Sequence, residues 1–232
     1  MLIKYIIYCN AAMYIVSLFM NLQNLSLSLN PMHFLSPGSN SLLVMGATGT
    51  IPIDQFHRWW SLLSANYLHG GILHIVFNMI ALKQIAPMII REYGVHRMFV
   101  IFTVSGCIGF YISYLAGIPL TIGSSASICG LIGAALYYGK SRGGTYGRAV
   151  YKHTGGWAAG IFLFGFLVPG INNWGHGGGM IAGGFMGLAL GYREKYFENT
   201  FHNILFRICV LATGVTLIWA VSSGLFYRFF SH

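Results

Sequence analysis

Apolar residues in this chain come in long runs, without the period-two alternation of a half-buried strand or the one-sided stripe of a water-soluble helix. Seven runs are read as membrane spans: Ile3–Met20, Tyr67–Ile89, Met98–Ala116, Ser125–Tyr138, Gly156–Val168, His176–Tyr192 and Ile204–Phe226. Crossing about 30 Å of hydrocarbon takes roughly 20 helical residues at about 1.5 Å each. A closed barrel would alternate, so the pattern predicts an all-α, polytopic membrane helical bundle. The first run follows Lys4, lacks a small-x-small cleavage site and continues into "LSLSLNPMHF", so a retained helix is expected rather than a signal peptide.

Between the first two spans lies a long segment, residues 21–66, of the kind that carries function when it occurs in a compact protein. Pro31, Pro37 and Pro52 interrupt it, while Phe56, Trp59, Trp60 and Leu63 recur at helical spacing and predict a short amphipathic helix in the membrane interface. Trp59 and Trp60 would anchor it.

Composition agrees: 56% of residues are hydrophobic and only 7% charged, which excludes a soluble domain. The net charge of +9 is explained by where the cations fall. With the N-terminus cytoplasmic and the C-terminus external, Lys4, Lys83, Arg91, Arg97, Lys140, Arg142, Arg148, Lys152, Arg193, Lys195 and Arg207 all sit at cytoplasmic ends, and only Arg58 and Arg228 lie outside. A multi-pass protein, expected in the cell (plasma or inner) membrane, accounts for this distribution, and no nucleic acid is needed to explain the charge. The basic stretch "KSRGGTYGRAVYK" is read as a cytoplasmic loop and topology signal, with contact to anionic lipid as the other reading. Cys9, Cys107, Cys129 and Cys209 are scattered without metal-type spacing and read as small buried apolar residues.

In that orientation the second, fourth and sixth spans all enter from outside, opening with "LHGGILHIVFN", "GSSASICG" and "NNWGHGGG". His69, His74, Asn78, Ser125 and His176 then share one depth near the outer surface. The fourth and sixth runs, about 21 and 25 Å as helices, fall short of the hydrocarbon thickness, so their outer ends are expected to start below the surface, in a wet depression. A serine hydroxyl becomes a nucleophile beside a base, most often His. Of the four acids, Glu92, Glu194 and Glu198 are cytoplasmic and Asp54 is expected to cap the helix after it. The arrangement expected is therefore a dyad, Ser125 with His176, without the third member of a triad. His74 and Asn78, spaced i, i+4 on one helix face, and the free N–H groups of the first turn after Ser125 would stabilise an oxyanion. Gly179, Gly183 and Gly187, with Gly123, Ser127, Gly130 and Gly133, read as packing positions that let the two helices approach closely.

These segments resemble the rhomboid intramembrane serine proteases over roughly Asp54 to Gly191. "HGGILHIVFN" is similar to the family's His-x-x-x-Asn segment, "GSSASICGLIGA" to its Gly-x-Ser-Gly type segment, and "GHGGGMIAG" to its His-bearing, Gly-rich sixth helix. The Gly-x-Ser register selects Ser125 over Ser124 and Ser127. The resemblance implies peptide-bond hydrolysis of transmembrane protein substrates near the outer leaflet, with no cofactor and no metal. It implies Ser125 and His176 as the dyad, His74 and Asn78 at the oxyanion, and Gly123, Ala126 and Cys129 in support. It also implies a six-helix core over residues 1–192 with a gating fifth helix, then a cytoplasmic connection and one added C-terminal helix over 193–232. The chain departs from the family pattern in Ala126, where Gly usually follows the serine, in "WWS" for Trp-Arg with Arg58 nearby, and in Cys129, where an aromatic often packs under the histidine. A catalytically weak or inactive relative that binds transmembrane segments is the second reading. A transporter or metal site at His69, His74 and His176 is the weakest, because no intramembrane carboxylate or broken-helix repeat accompanies the histidines.

Overall fold

The computed structural model describes residues 1–20, 26–27 and 34–230. Much of the first half of the expected external loop, including Pro31, therefore lies outside the described residues. Among the described residues the chain forms nine α-helices and one two-stranded ribbon, β1 (Ser26–Leu27) with β2 (Phe34–Ser36). The helices are α1 (Leu2–Met20), α2 (Ser39–Val44), α3 (Ser61–Ser64), α4 (Ile72–Tyr93), α5 (Val95–Leu115), α6 (Ser125–Arg142), α7 (Gly144–Leu167), α8 (Asn173–Leu190) and α9 (Thr200–Phe230). The seven long runs of the sequence correspond to α1 and α4 to α9, and the protein is a helical membrane bundle. By length and composition α1, α4, α5 and α9 are apolar enough to cross a membrane. In α6, α7 and α8, glycines and polar or basic residues dilute the same character.

Several boundaries differ from the sequence reading, each for a local reason. The second span begins at Ile72, because Ala65–Tyr67 form a separate 3-10 turn and Gly71 is extended at φ 170°. The basic stretch read as a loop is helical. The chain reverses within Gly143 and Gly144, at φ +67° and +64°, and no proline prevents Thr145–Lys152 from winding into the start of α7. The expected helix through Phe56, Trp59, Trp60 and Leu63 is broken. A π-helical turn, Ile51–Gln55, ends before His57, whose φ of +55° turns the chain into α3. Trp59 is half exposed, its ring edge-on to Tyr114, whereas Trp60 folds inward over Gly46.

The centre of the bundle is α6, flanked by α5 and α8, and its residues from Ala126 to Ala135 are all buried. Large apolar side chains such as Phe164, Phe185, Leu211 and Trp219 point outward, as expected where the solvent is lipid. The buried residues of α7 are Gly147, Val150 and Thr154, all in its first half, so its second half is the more exposed.

Candidate active site

The turn before α6 is built by glycine and fastened to its neighbours. Gly123 sits at φ +116°, and a Cβ there would lie 2.6 Å from Nε2 of His74, so the backbone and the space both require glycine. Its N–H donates to the carbonyl of Ala65 at 2.8 Å, and Thr121 pairs with Thr48 through two backbone hydrogen bonds. Ser124 Oγ lies 3.4 Å from Nε2 of His69. Ser125 then opens α6 and is half-buried in a run that is otherwise buried from Gly123 to Ala135. The N-cap residue, Ser124, makes no side-chain cap among the described residues, which leaves first-turn N–H groups beside Ser125 available to donate.

Glycines bring α8 up to this turn. A Cβ on Gly179 would land on the carbonyl of Ala126, and one on Gly183 on the carbonyl of Gly130. A Cβ on Gly133 would meet the carbonyl of Met180 in the same way. At that separation Nε2 of His176 lies 2.9 Å from Oγ of Ser125. The Nδ1 of His176 is buried and has no hydrogen-bond partner among the described residues. The four acids are engaged elsewhere: Asp54 accepts from Tyr114 at 2.9 Å, Glu92 from Arg91 and Tyr146, Glu194 from Arg142, and Glu198 from the N–H groups of His96 and Arg97. The expectation that Asp54 caps a following helix is thus corrected: it lies inside the π-helical turn, where the nearest use for its carboxylate is the Tyr114 hydroxyl.

His74 faces the same turn. Its Nδ1 accepts from the Gly70 N–H at 3.3 Å, which leaves the proton on Nε2, the nitrogen directed at Gly123. The His69 ring stands edge-on to it at 5.0 Å. Asn78, one turn along, is buried and donates from Nδ2 to the His74 carbonyl at 2.9 Å, so its amide is held by its own helix. Ala126 and Cys129 are both buried in α6. Among the described residues no cluster of three or more His, Cys, Asp or Glu has the arrangement of a metal site.

Asn172, beside this centre, was not singled out from the sequence. It caps α8, accepting from the Gly175 N–H at 3.0 Å, and its Nδ2 donates to Ser113 at 2.6 Å and to Thr121 at 2.9 Å. One side chain therefore joins α8, the end of α5 and the loop before Ser125. The preference for Asn at N-caps was the available signal, since Asn172 stands four residues before His176. Ser127 donates to Oδ1 of Asn66 at 2.8 Å, which ties α6 to the turn before α4. Ser61 donates to Thr48 at 2.9 Å and Arg58 to the Leu43 carbonyl at 2.9 Å, so both fasten the segment before α4 to itself.

Residues 57–193, more than half of the chain, match the family model described as Rhomboid domain. A rhomboid protease of Bacillus subtilis, GluP, is 34% identical over 179 residues, covering 75% of this chain and 34% of that protein. RHOMBOID-like protein 4 of Arabidopsis thaliana is 31% identical over 169 residues, 72% of this chain and 42% of its own length. Inactive RHOMBOID-like protein 8 of the same plant is 34% identical over 113 residues, 48% of this chain and 31% of its own. The chain thus spans about a third to two fifths of these relatives.

Proposed function

The chain belongs to the rhomboid family, and on that premise we propose that it is an intramembrane serine endopeptidase that cleaves transmembrane proteins near the outer leaflet. The observation that carries this reading is the 2.9 Å approach of Ser125 Oγ to His176 Nε2 at the start of two closely packed helices. With neutral His176 carrying its proton on Nδ1, the serine hydroxyl donates to Nε2. Attack of Oγ on the scissile carbonyl carbon passes that proton to Nε2 and leaves a tetrahedral oxyanion. His74 Nε2–H and the first-turn N–H groups of α6 are its donors, and Asn78 joins them when its amide turns from the His74 carbonyl. Collapse expels the amine, which takes the proton back from His176, and leaves an acyl ester on Ser125. His176 then takes a proton from water as the water oxygen adds to the ester, and collapse of this second tetrahedral intermediate expels Ser125 Oγ, which takes the proton back from His176 as the new carboxyl terminus is released. Substrate would enter beside α7, whose second half is lightly packed. In the orientation supported by the cation pattern, the dyad faces the exterior of the cell membrane and the N-terminus is cytoplasmic.

A second reading, a binding member without turnover, is favoured by Ala126 after the serine and by the inward-held Asn78 amide. Purified full-length protein with a panel of single-span substrates and a serine-reactive fluorophosphonate separates the two. Cleavage and labelling that vanish in Ser125→Ala support the protease. Unlabelled wild type that still binds transmembrane segments would overturn it.

A further inference from the structure

The basic end of α6, opposite the dyad, carries an arrangement that proteolysis does not use. Gly133, Leu136, Tyr137, Met180, Gly184 and Leu188 wall an open-sided apolar groove of about 330 Å³ between α6 and α8. Its size is at the low end of ligand cavities. Gly184 keeps it open: a Cβ there would meet nothing nearer than the Gly133 carbonyl oxygen at 3.6 Å, so the position has room for a side chain that the sequence withholds. Lys140 stands three residues after Tyr137 and seven after Gly133, which puts it on the groove face of α6, one turn beyond the apolar wall. It is exposed and makes no ion pair among the described residues. One residue further along α6, Ser141 accepts at 3.2 Å from Lys195, whose ammonium lies over the Tyr192 ring. The nearby acids are already engaged, Glu194 by Arg142 at 2.9 Å and Glu92 by Arg91 at 2.6 Å.

We propose that this is a binding site for an anionic phospholipid, with one acyl chain in the groove and the phosphate between Lys140 and Lys195. An apolar groove with two lysines beyond its cytoplasmic end, neither ion-paired among the described residues, matches a ligand that joins a hydrocarbon chain to a phosphate. The cytoplasmic leaflet, where the cation pattern puts this end, carries the anionic lipids. Lys140 and Lys195 lie at or just beyond the ends of the helices away from Ser125 and His176, so the headgroup contacts are separate from the proposed chemistry.

The test is lipid retention by the full-length protein, measured by native mass spectrometry with phosphatidylglycerol and phosphatidylcholine of matched chains. Wild type is expected to retain phosphatidylglycerol about tenfold more tightly, and Lys140→Gln with Lys195→Gln to erase the preference. Gly184→Leu, filling the groove, is expected to weaken phosphatidylglycerol binding with both lysines intact. Glycerol phosphate, which has the headgroup chemistry without the chains, is expected not to displace the lipid at millimolar concentration. Equal retention of the two lipids by wild type, a preference that survives the lysine changes, or displacement by glycerol phosphate would each overturn the proposal. The last comparison needs no variant, so it stands even where Gly184→Leu fails to fold.

Discussion

One hydrogen bond between Ser125 and His176 sets what single substitutions should do. Ser125→Ala or His176→Ala is expected to lower kcat by about 10⁴-fold or more, because members of such a unit are not additive. On the proposed mechanism, His74→Ala should remove an oxyanion donor and cost about 10²- to 10³-fold in kcat with little change in KM, since such a donor meets charge only in the transition state. Steady-state kinetics on a detergent-solubilised substrate distinguish the two classes. Turnover should also fall on acidification, because an imidazolium at position 176 cannot accept the serine proton; a rate unchanged from acid to neutral pH would count against the dyad. The positions of Ser125, His176 and His74 were legible in the sequence because polar groups are costly in apolar spans and these stand at the start of alternate helices. Asn66, Thr121 and Asn172 were not, because a hydrogen-bond partner far along the chain leaves no spacing to read.

Between elements, the separation of α6 and α8 is fixed by glycines, and adjacent glycines of α8 do opposite things. A methyl at Gly183 would land on the Gly130 carbonyl, whereas one at Gly184 has only ordinary contact with the Gly133 oxygen at 3.6 Å. Gly183→Ala should therefore push the helices apart, at about 1–3 kcal/mol of overpacking, and reduce kcat by moving His176 from Ser125. Gly184→Ala should leave both stability and kcat close to wild type, which thermal unfolding and kinetics on the pair would verify. This contact was visible in the sequence as a small-residue spacing, but the choice of which glycine bears it was not, because that depends on helix rotation. The same blindness covered the start of α7: a two-residue reversal at Gly143 and Gly144 looks like any glycine-rich loop until the helices on either side are seen to run up to it.

Across the whole molecule, apolar run length told where the helices lie, but not how the last one is held. The connection from α8 to α9 is fastened to the start of α5 by two charged side chains. Arg97, fully buried, donates to the carbonyls of Gly191 at 2.6 Å and Tyr196 at 2.5 Å. Glu198 accepts from the N–H groups of His96 at 2.8 Å and Arg97 at 3.1 Å, acting as an N-cap supplied from about a hundred residues away. Sequence reading took both as cytoplasmic charges, because capping was sought next to the helix it serves. The carboxylate satisfies first-turn donors of α5 and opposes the positive end of that helix. Glu198→Gln keeps an acceptor but loses the charge, and should cost about 0.5–1 kcal/mol. Glu198→Ala, which also leaves two N–H groups without their acceptor, should cost about 1–2 kcal/mol. The dyad lies at the far end of α6 and α8, so kcat of the folded fraction should stay at the wild-type value in both variants. Unfolding measured beside kinetics decides the point: a fall in kcat at unchanged stability would mean that the clamp governs the active site rather than the anchoring of α9.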